Sequence, residues 1–368
     1  MKKLLFVILF FAAIISSTFA QKVITADQVG DFSNDLAPFL SDNKWGFFDK
    51  EGNIVIQPQF NAFVSNYGAL PEFSEDLTSI VDIETERVGY INKNGEIVIK
   101  PNFYSANKFS EGVAFVGRQN DYVLIDKGGN VIAEKFVAIN GYFSNFSNNR
   151  ACVQKEFAYG YIDKSGKFVI NAEFEEARDF SNGLAAVKKD SKWGFIDTTG
   201  AVIIDFKFTN EPLPFNDNRS FILGSNNKWG IIDNKGSIIV EPTYNKVFGF
   251  NGGVAVVSIL DEKWNTSYQI IDLNGKPVKT FSKEKNSSET ISILSGFSEG
   301  LAVAMKGYQK GFIDSKGKSI VGFKYRELKP LSCGMAYFEK FDEKTKKETR
   351  GFVDKTGKEV IFIEGPKF

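Results

Sequence analysis

Short bursts of apolar residues, each ending at a polar turn, recur along most of this chain. Lys192–Gly200, KWGFIDTTG, is one clear instance. Gly-aromatic-or-aliphatic-aliphatic-Asp/Asn returns at Gly46–Asp49, Gly89–Asn92, Gly160–Asp163, Gly230–Asp233, Gly311–Asp314 and Gly351–Asp354. Val123–Asp126 and Gln269–Asp272 are copies that have lost the glycine. In every copy a glycine stands three residues after the Asp or Asn, from Gly52 through Gly357. A second half-motif precedes each one: FSNDLAPF at Phe32, FSEGVAFV at Phe109, FSNGLAAV at Phe180 and FSEGLAVA at Phe297, with five looser copies. Self-similarity at a fixed spacing announces a repeat architecture.

Each unit reads as three strands. Leu184–Lys188 is apolar with partial alternation, Lys189–Ser191 is a polar tip, and Lys192–Asp197 is a second strand. A β-branched run such as Ala201–Ile204 or Ile238–Val240 follows the turn. Period-2 alternation, Val/Ile/Phe enrichment and closely spaced turn signals favour strands, and no stretch sustains a 3.6-residue period. The D-x-x-G step is a turn in which the carboxylate accepts backbone N–H bonds and glycine takes a positive φ. Pro58, Pro101 and Pro242 are expected to end pairing after the third strand, with Phe60, Phe103 and Tyr244 packing back as anchors. The expected fold is all-β, a tandem array of nine three-stranded antiparallel meanders stacked as a superhelical solenoid. Asp31–Leu40 and Val360–Glu364 would cap its ends. A β-propeller is the alternative, disfavoured because blades usually have four strands and number four to eight.

The KWG triplets at Lys44, Lys192 and Lys228, each within W-G-[FI]-[FI]-D-x-x-G, together with the FS[ED]G[LV]A half-motifs, resemble the bacterial WG-repeat family. The resemblance runs from Phe32 to about Glu364. Six units depart from it, with Val88, Tyr122, Tyr159, Tyr268, Lys310 and Arg350 in the Trp slot. What it implies is a β-rich array in a secreted or cell-surface protein, with no catalytic residues to carry over.

Composition narrows the function classes. Phe alone supplies 37 of 368 residues, more aromatic surface than a disordered chain carries. Lys+Arg and Asp+Glu are each 45, so no bulk charge points to nucleic acid or an anionic membrane. Histidine is absent, which removes Ser-His-Asp and Cys-His chemistry and His-ligated zinc. Cys152 and Cys333 lie in different repeats and read as packing thiols. Lys2 and Lys3, the apolar run Leu4–Ile15, and Thr18 and Ala20 match a secretory signal peptide cleaved after Ala20. The apolar run is too short to span a bilayer comfortably, so no membrane span is expected after cleavage. The domain reading is a leader at 1–20, a short polar lead-in at 21–31 and the repeat array at 32–368. The destination is the periplasm, the cell surface or the exterior.

The repeated Asp/Asn set invites a calcium reading. Calcium, however, needs six to eight converging oxygens, and each carboxylate here sits alone in its own turn. No metal or cofactor is therefore expected. Glu75, Glu111 and Glu299 share one turn position, so their recurrence speaks for turn chemistry, and no unrepeated acidic pair suggests a glycosidase. Ligand contact is assigned to the slot aromatics Trp45, Tyr159, Trp193 and Trp229, and to Trp264 in the polar tip DEKWNTS. Covering an inter-repeat groove is the competing role for the slot residues, and the favoured one. The expected function is non-catalytic binding or scaffolding of a protein or envelope polysaccharide. A histidine-free Asp/Glu glycan hydrolase and a purely structural spacer are the other classes.

Overall fold

A computed structural model describes residues 22–61, 70–119, 121–136, 144–283 and 287–366. The leader at 1–20, with its expected cleavage point, lies outside the described residues. Nine small antiparallel sheets follow one another along the chain. Blade 5 is representative: a two-residue lead strand Glu176–Ala177, a first strand Leu184–Lys189, a second Lys192–Asp197 and a third Val202–Phe208. The all-β repeat units are thus the ones the sequence predicts.

Of the two ways to stack them, the ring forms. Lys22–Thr25 pairs in parallel with the last strand, Glu359–Glu364, through Lys22↔Ile361 to Thr25↔Glu364. The first and last units therefore share a sheet, and the array is a nine-bladed β-propeller. The segment expected to be a polar lead-in supplies this closing strand and a second, Gln28–Val29. The segments expected to cap two open ends meet each other instead. The case against a propeller rested on strand count and on blade number; the lead strands answer the first, while the nine blades exceed the usual four to eight. Among the described residues six blades carry one, usually of two residues, too short for any periodicity to register in the sequence.

Each repeated position has a structural use. All nine Asp/Asn side chains accept the backbone N–H groups of the second and fourth residues beyond, as Asp49 Oδ1 does from Glu51 (3.1 Å) and Asn53 (2.7 Å). Gly52 closes that turn by donating to the Asp49 carbonyl at 3.0 Å, with φ +77°. The glycine opening the second strand is needed for a different reason. A Cβ on Gly46 would lie 2.7 Å from the Ile56 carbonyl oxygen and 2.8 Å from Pro58 N. The crowding comes from the third strand of the same blade rather than from the next unit. Nor do the prolines end pairing. The strand Ile54–Asn61 runs through Pro58 by a two-residue bulge, pairing Phe47 with Ile56 and Trp45 with Phe60. An edge strand with a bulge has no ladder bond there for proline to lose.

Blades are joined by the half-motif. Its serine hydroxyl donates to the carbonyl of the next blade's opening Phe or Leu: Ser74 to Phe109, Ser110 to Phe146, Ser147 to Phe180, Ser181 to Phe215 and Ser298 to Leu331, at 2.6–2.8 Å. The side chain one residue later accepts a backbone N–H from the next blade's turn. Glu75 takes Gly112, Glu111 takes Asn149, Asn148 takes Gly183 and Glu299 takes Gly334. The recurrent glutamates are thus stitches between blades. Second-strand aromatics pack edge-on against the next opening phenylalanine, as Phe47–Phe73, Tyr90–Phe109, Tyr161–Phe180 and Phe195–Phe215 do at 4.8–4.9 Å. The ring closes with the same parts: Ser332 donates to the Phe32 carbonyl at 2.6 Å, and Phe352 packs on Phe32 at 5.1 Å.

Candidate functional site

The Trp slot faces a partner within its own blade. Trp45, Trp193 and Trp229 pair with the third-strand aromatics Phe60, Phe208 and Tyr244, and Tyr159 pairs with Phe174. Burial follows. Trp45 is 7 % exposed and Trp193 is 3 % exposed. The Arg178 guanidinium lies over the Trp193 ring at 4.9 Å and is held there by Glu176 and Glu211. Rings buried to this extent have little surface left to stack on a ligand. Trp45 and Trp193 are therefore packing residues, while Trp229 and Tyr159 are half-buried in the same position. The slot tolerates Lys310 and Arg350 because their aliphatic stems can line the groove while the charge reaches outward. Lys310 ion-pairs with Glu327, and Arg350 donates to the Gly365 and Pro366 carbonyls.

Trp264 is the exception, 80 % exposed at the tip joining the first strand of blade 7 (Val254–Leu260) to its second (Thr266–Asp272). Its turn copies the D-x-x-G step with tryptophan in the glycine position. Asp261 Oδ1 accepts the Lys263 and Asn265 amides, and Trp264 N donates to the Asp261 carbonyl at 3.0 Å. Hydrogen bonding from the Asn265 side chain and these amides holds the Asp261 carboxyl below its usual value. Trp264 sits at φ +62°, a left-handed conformation that a bulky residue adopts only at a cost.

Two neighbours share this placement. Tyr308, 94 % exposed, occupies the equivalent tip of blade 8 between Leu301–Lys306 and Gln309–Asp314. Phe341 is the penultimate residue of blade 9's first strand, Met335–Asp342, beside the tip that leads to Lys347–Asp354, with Lys346 Nζ 5.8 Å from its ring centre. Because equivalent hairpins of a ring lie on one face, three consecutive blades present an aromatic arc on that face. Lys263, Lys306, Lys344 and Lys346 stand in the same tips. Phe157, 92 % exposed at the tip of blade 4, adds a separate aromatic beside an open cavity of about 480 Å³ lined by Lys155, Phe168 and Asn171. Sequence reasoning passed over Tyr308, Phe341 and Phe157. The available signal for Tyr308 and Phe157 was an aromatic between the two strand patterns; Phe341 stands one residue inside its strand and carried no such signal.

Among the described residues no group of three or more His, Cys, Asp or Glu side chains is placed to hold a metal ion. Cys152 is buried, and burial pushes its thiol up to about 12, away from the reactive thiolate. No helix of the described residues is long and apolar enough to cross a membrane.

The sequence profile described as "WG containing repeat" matches residues 27–45, 45–68, 89–121, 159–193, 193–228, 229–264 and 311–344. The chain belongs to the WG-containing repeat family. The motifs at Val123–Asp126 and Gln269–Asp272, which lack the first glycine, and the last one, Gly351–Asp354, fall outside the matched stretches yet belong to complete blades. No curated protein matches the chain in sequence. Solved structures similar to it include Hsv2p of Kluyveromyces lactis, 7% identical over 90% of this chain and 98% of that one, with a TM-score of 0.37. Apo AztD from Citrobacter koseri is 12% identical over 91% and 96%, with a TM-score of 0.35. PorZ of Porphyromonas gingivalis, described as an essential bacterial surface component of the type-IX secretion system, is 9% identical over 90% and 60%, with a TM-score of 0.32. With scores this low, the ring assignment of this WG protein rests on its own strand pairings.

Proposed function

We propose that this WG-repeat ring is an exported, non-catalytic scaffold that captures a partner protein on its hairpin-tip face. The observation carrying this reading is the aromatic arc of Trp264, Tyr308 and Phe341 on three consecutive blades. Large rings of this kind bury much apolar area at little entropy cost, which is why Trp and Tyr dominate binding hot spots. The left-handed Trp264 adds to the case, since glycine fills that position in each of the nine repeated turns and would hold this one without strain. The recurrent acidic residues support a non-catalytic role, because they are engaged in turns and stitches between blades. The leader-like N-terminus supports export.

Cross-linking in the native envelope, followed by comparison of wild type with Trp264→Ala/Tyr308→Ala, tests the proposal. Loss of one cross-linked protein in the double variant, with an unchanged thermal midpoint, is the expected result. Binding on a glycan array that the double variant abolishes would move the reading to a polysaccharide ligand. An unaltered cross-linking pattern would sink it.

A further inference from the structure

We propose that the third strand of blade 7, Pro277–Phe281, is a docking edge for an extended segment of a partner protein, which adds to it as a parallel strand. The warrant is a comparison with blade 9, whose third strand already takes such a strand. There Lys22–Thr25 lies along Ile361–Glu364. Blade 9 receives it on a strand with a regular register after its turn: Phe352↔Ile361, Gly351↔Phe362, Arg350↔Ile363. Blade 7 has the same register, Ile270↔Lys279, Gln269↔Thr280, Tyr268↔Phe281. Each of the other seven blades breaks its third strand with a bulge at this point, as at Trp45/Phe47, Val88/Tyr90 and Trp193/Phe195. Three of those also place a proline there, Pro58, Pro101 and Pro242. Bulges and prolines are how sheet edges are kept from pairing. Blade 7 has neither at the equivalent residues.

The edge is open. Pro277, Val278, Lys279 and Thr280 are all exposed, and among the described residues no strand pairs on that side. The backbone parity can be followed from the turn. Asp272 N donates to the Lys276 carbonyl, and the pairs Ile270↔Lys279 and Tyr268↔Phe281 keep the same alternation. The amide and carbonyl of Thr280 therefore turn away from the blade, as those of Phe362 do toward the closing strand.

The occupant's chemistry follows from the template. In Lys22–Thr25 the third residue, Ile24, is buried beside Ile363, whose counterpart in blade 7 is the buried Phe281. A β-branched apolar residue is required there. By the template's register the first residue would lie opposite Lys279, so an acidic side chain suits it. Strand addition of this kind draws affinity from main-chain bonds and specificity from alternate side chains.

The test uses the full chain and a fluorescent peptide copying residues 22–30, KVITADQVG, with a second peptide carrying Glu in place of its first lysine. Saturable binding, several-fold tighter for the Glu peptide, is expected, together with slowed hydrogen exchange at the Thr280 amide. Thr280→Pro, which removes the outward N–H, should weaken binding at least tenfold. A melting curve would establish that the variant is folded, and the exchange measurement on wild type needs no variant at all. Binding that leaves Thr280 exchange unchanged, or that survives Thr280→Pro, would place the peptide on blade 9 by strand exchange and overturn the proposal. So would no binding. Trp264→Ala should not affect this peptide, which separates the edge from the tip arc.

Discussion

The junction between blades 9 and 1 and the junction between blades 7 and 8 are built in opposite ways. The first joins the two ends of the described chain, which are tied only by the pairing of Lys22–Thr25 with the last strand and by side-chain contacts. It carries the hydroxyl bond from Ser332, the Phe32–Phe352 contact, a Lys329–Asp31 ion pair and four residues of parallel pairing. The second is crossed by a continuous chain, yet Asn251 stands at the serine position and Gly252 has no side chain with which to stitch. Apolar packing of Phe281, Ile293 and Phe297 with Val256 and Ile270 remains. Where the backbone already tethers two blades, loss of polar stitches is tolerated. Where no tether exists, contacts accumulate, because separating the ends there would open the ring.

The largest test of this contrast removes the closing strand's anchor. Ile24 is buried in the cluster with Phe32, Phe48, Phe352 and Ile361. Ile24→Ala should cost about 2–5 kcal/mol, the range for emptying a packed aliphatic site. Urea unfolding followed by tryptophan fluorescence would measure it. A change under about 1 kcal/mol, no more than the typical effect of a point substitution, would mean that the closing strand is an accessory and the ring does not depend on it.

Acid should narrow the contrast next. Burial works to raise the Glu359 carboxyl, but its bonds to Lys340 and Lys324 outweigh it and leave the pKa below the usual 4.5. A carboxyl whose folded pKa is depressed adds stability above its unfolded pKa. That stability is lost as pH falls below 4.5 through the folded value. Glu359 begins the strand that receives Lys22–Thr25. Hydrogen exchange in that strand should therefore rise as the pH falls below 4.5, while Glu359→Gln should flatten the response. A response identical in both proteins would assign acid lability to other groups. Asp126, Asp163 and Asp197 are held low by hydrogen bonds inside their turns, so a shallower loss spread around the ring is expected in the same acid range.

What the sequence disclosed, and what it hid, divides along the range of each interaction. Strand order, the Asp-capped turns and the repeat count were legible because each is decided within a few residues. Asp197 and Gly200 form one turn whatever lies around them. Closure was not legible, since it depends on Lys22–Thr25 meeting Glu359–Glu364 across the whole chain, and a four-residue KVIT carries no label for its partner. The Trp slot was left open between two roles for a similar reason. Alternation puts Trp193 on one side of its strand, but whether that side is covered depends on Phe208 and on Arg178, brought in from outside the motif. Trp264 was picked out because its surroundings are polar in sequence as well as in space.

At the level of single hydrogen bonds, the hydroxyl stitches should act over a longer range at the closure than inside the ring. Ser332→Ala and Ser181→Ala each delete one bond to a backbone carbonyl, a loss of about 1 kcal/mol in either setting. Their local effects should differ. Ser181→Ala leaves blades 5 and 6 tethered by chain, whereas Ser332→Ala should speed exchange along Lys22–Thr25 as well. Equal, purely local exchange changes would show that the closure is no more cooperative than any other junction.

The smallest effect comes from building the missing stitches. At the position of Gly252, Glu75, Glu111 and Glu299 adopt φ values of +50 to +53° and accept the N–H of the next blade's turn. Gly252 has φ +65°, and a Cβ added there meets nothing within 4 Å, so glutamate fits without displacing a neighbour. Asn251→Ser/Gly252→Glu would restore a hydroxyl aimed at the Phe297 carbonyl and an acceptor for the Gly300 amide. Two exposed bonds add about 1 kcal/mol or less each, and the left-handed side chain subtracts a similar amount. Net stability should therefore move by no more than about 1 kcal/mol. The Gly300 amide should nonetheless exchange more slowly, since its N–H gains a partner. If exchange at Gly300 is unchanged while the protein stays folded, the backbone at this junction is held apart by its packing, and the missing side chains are not what distinguishes it from the closure.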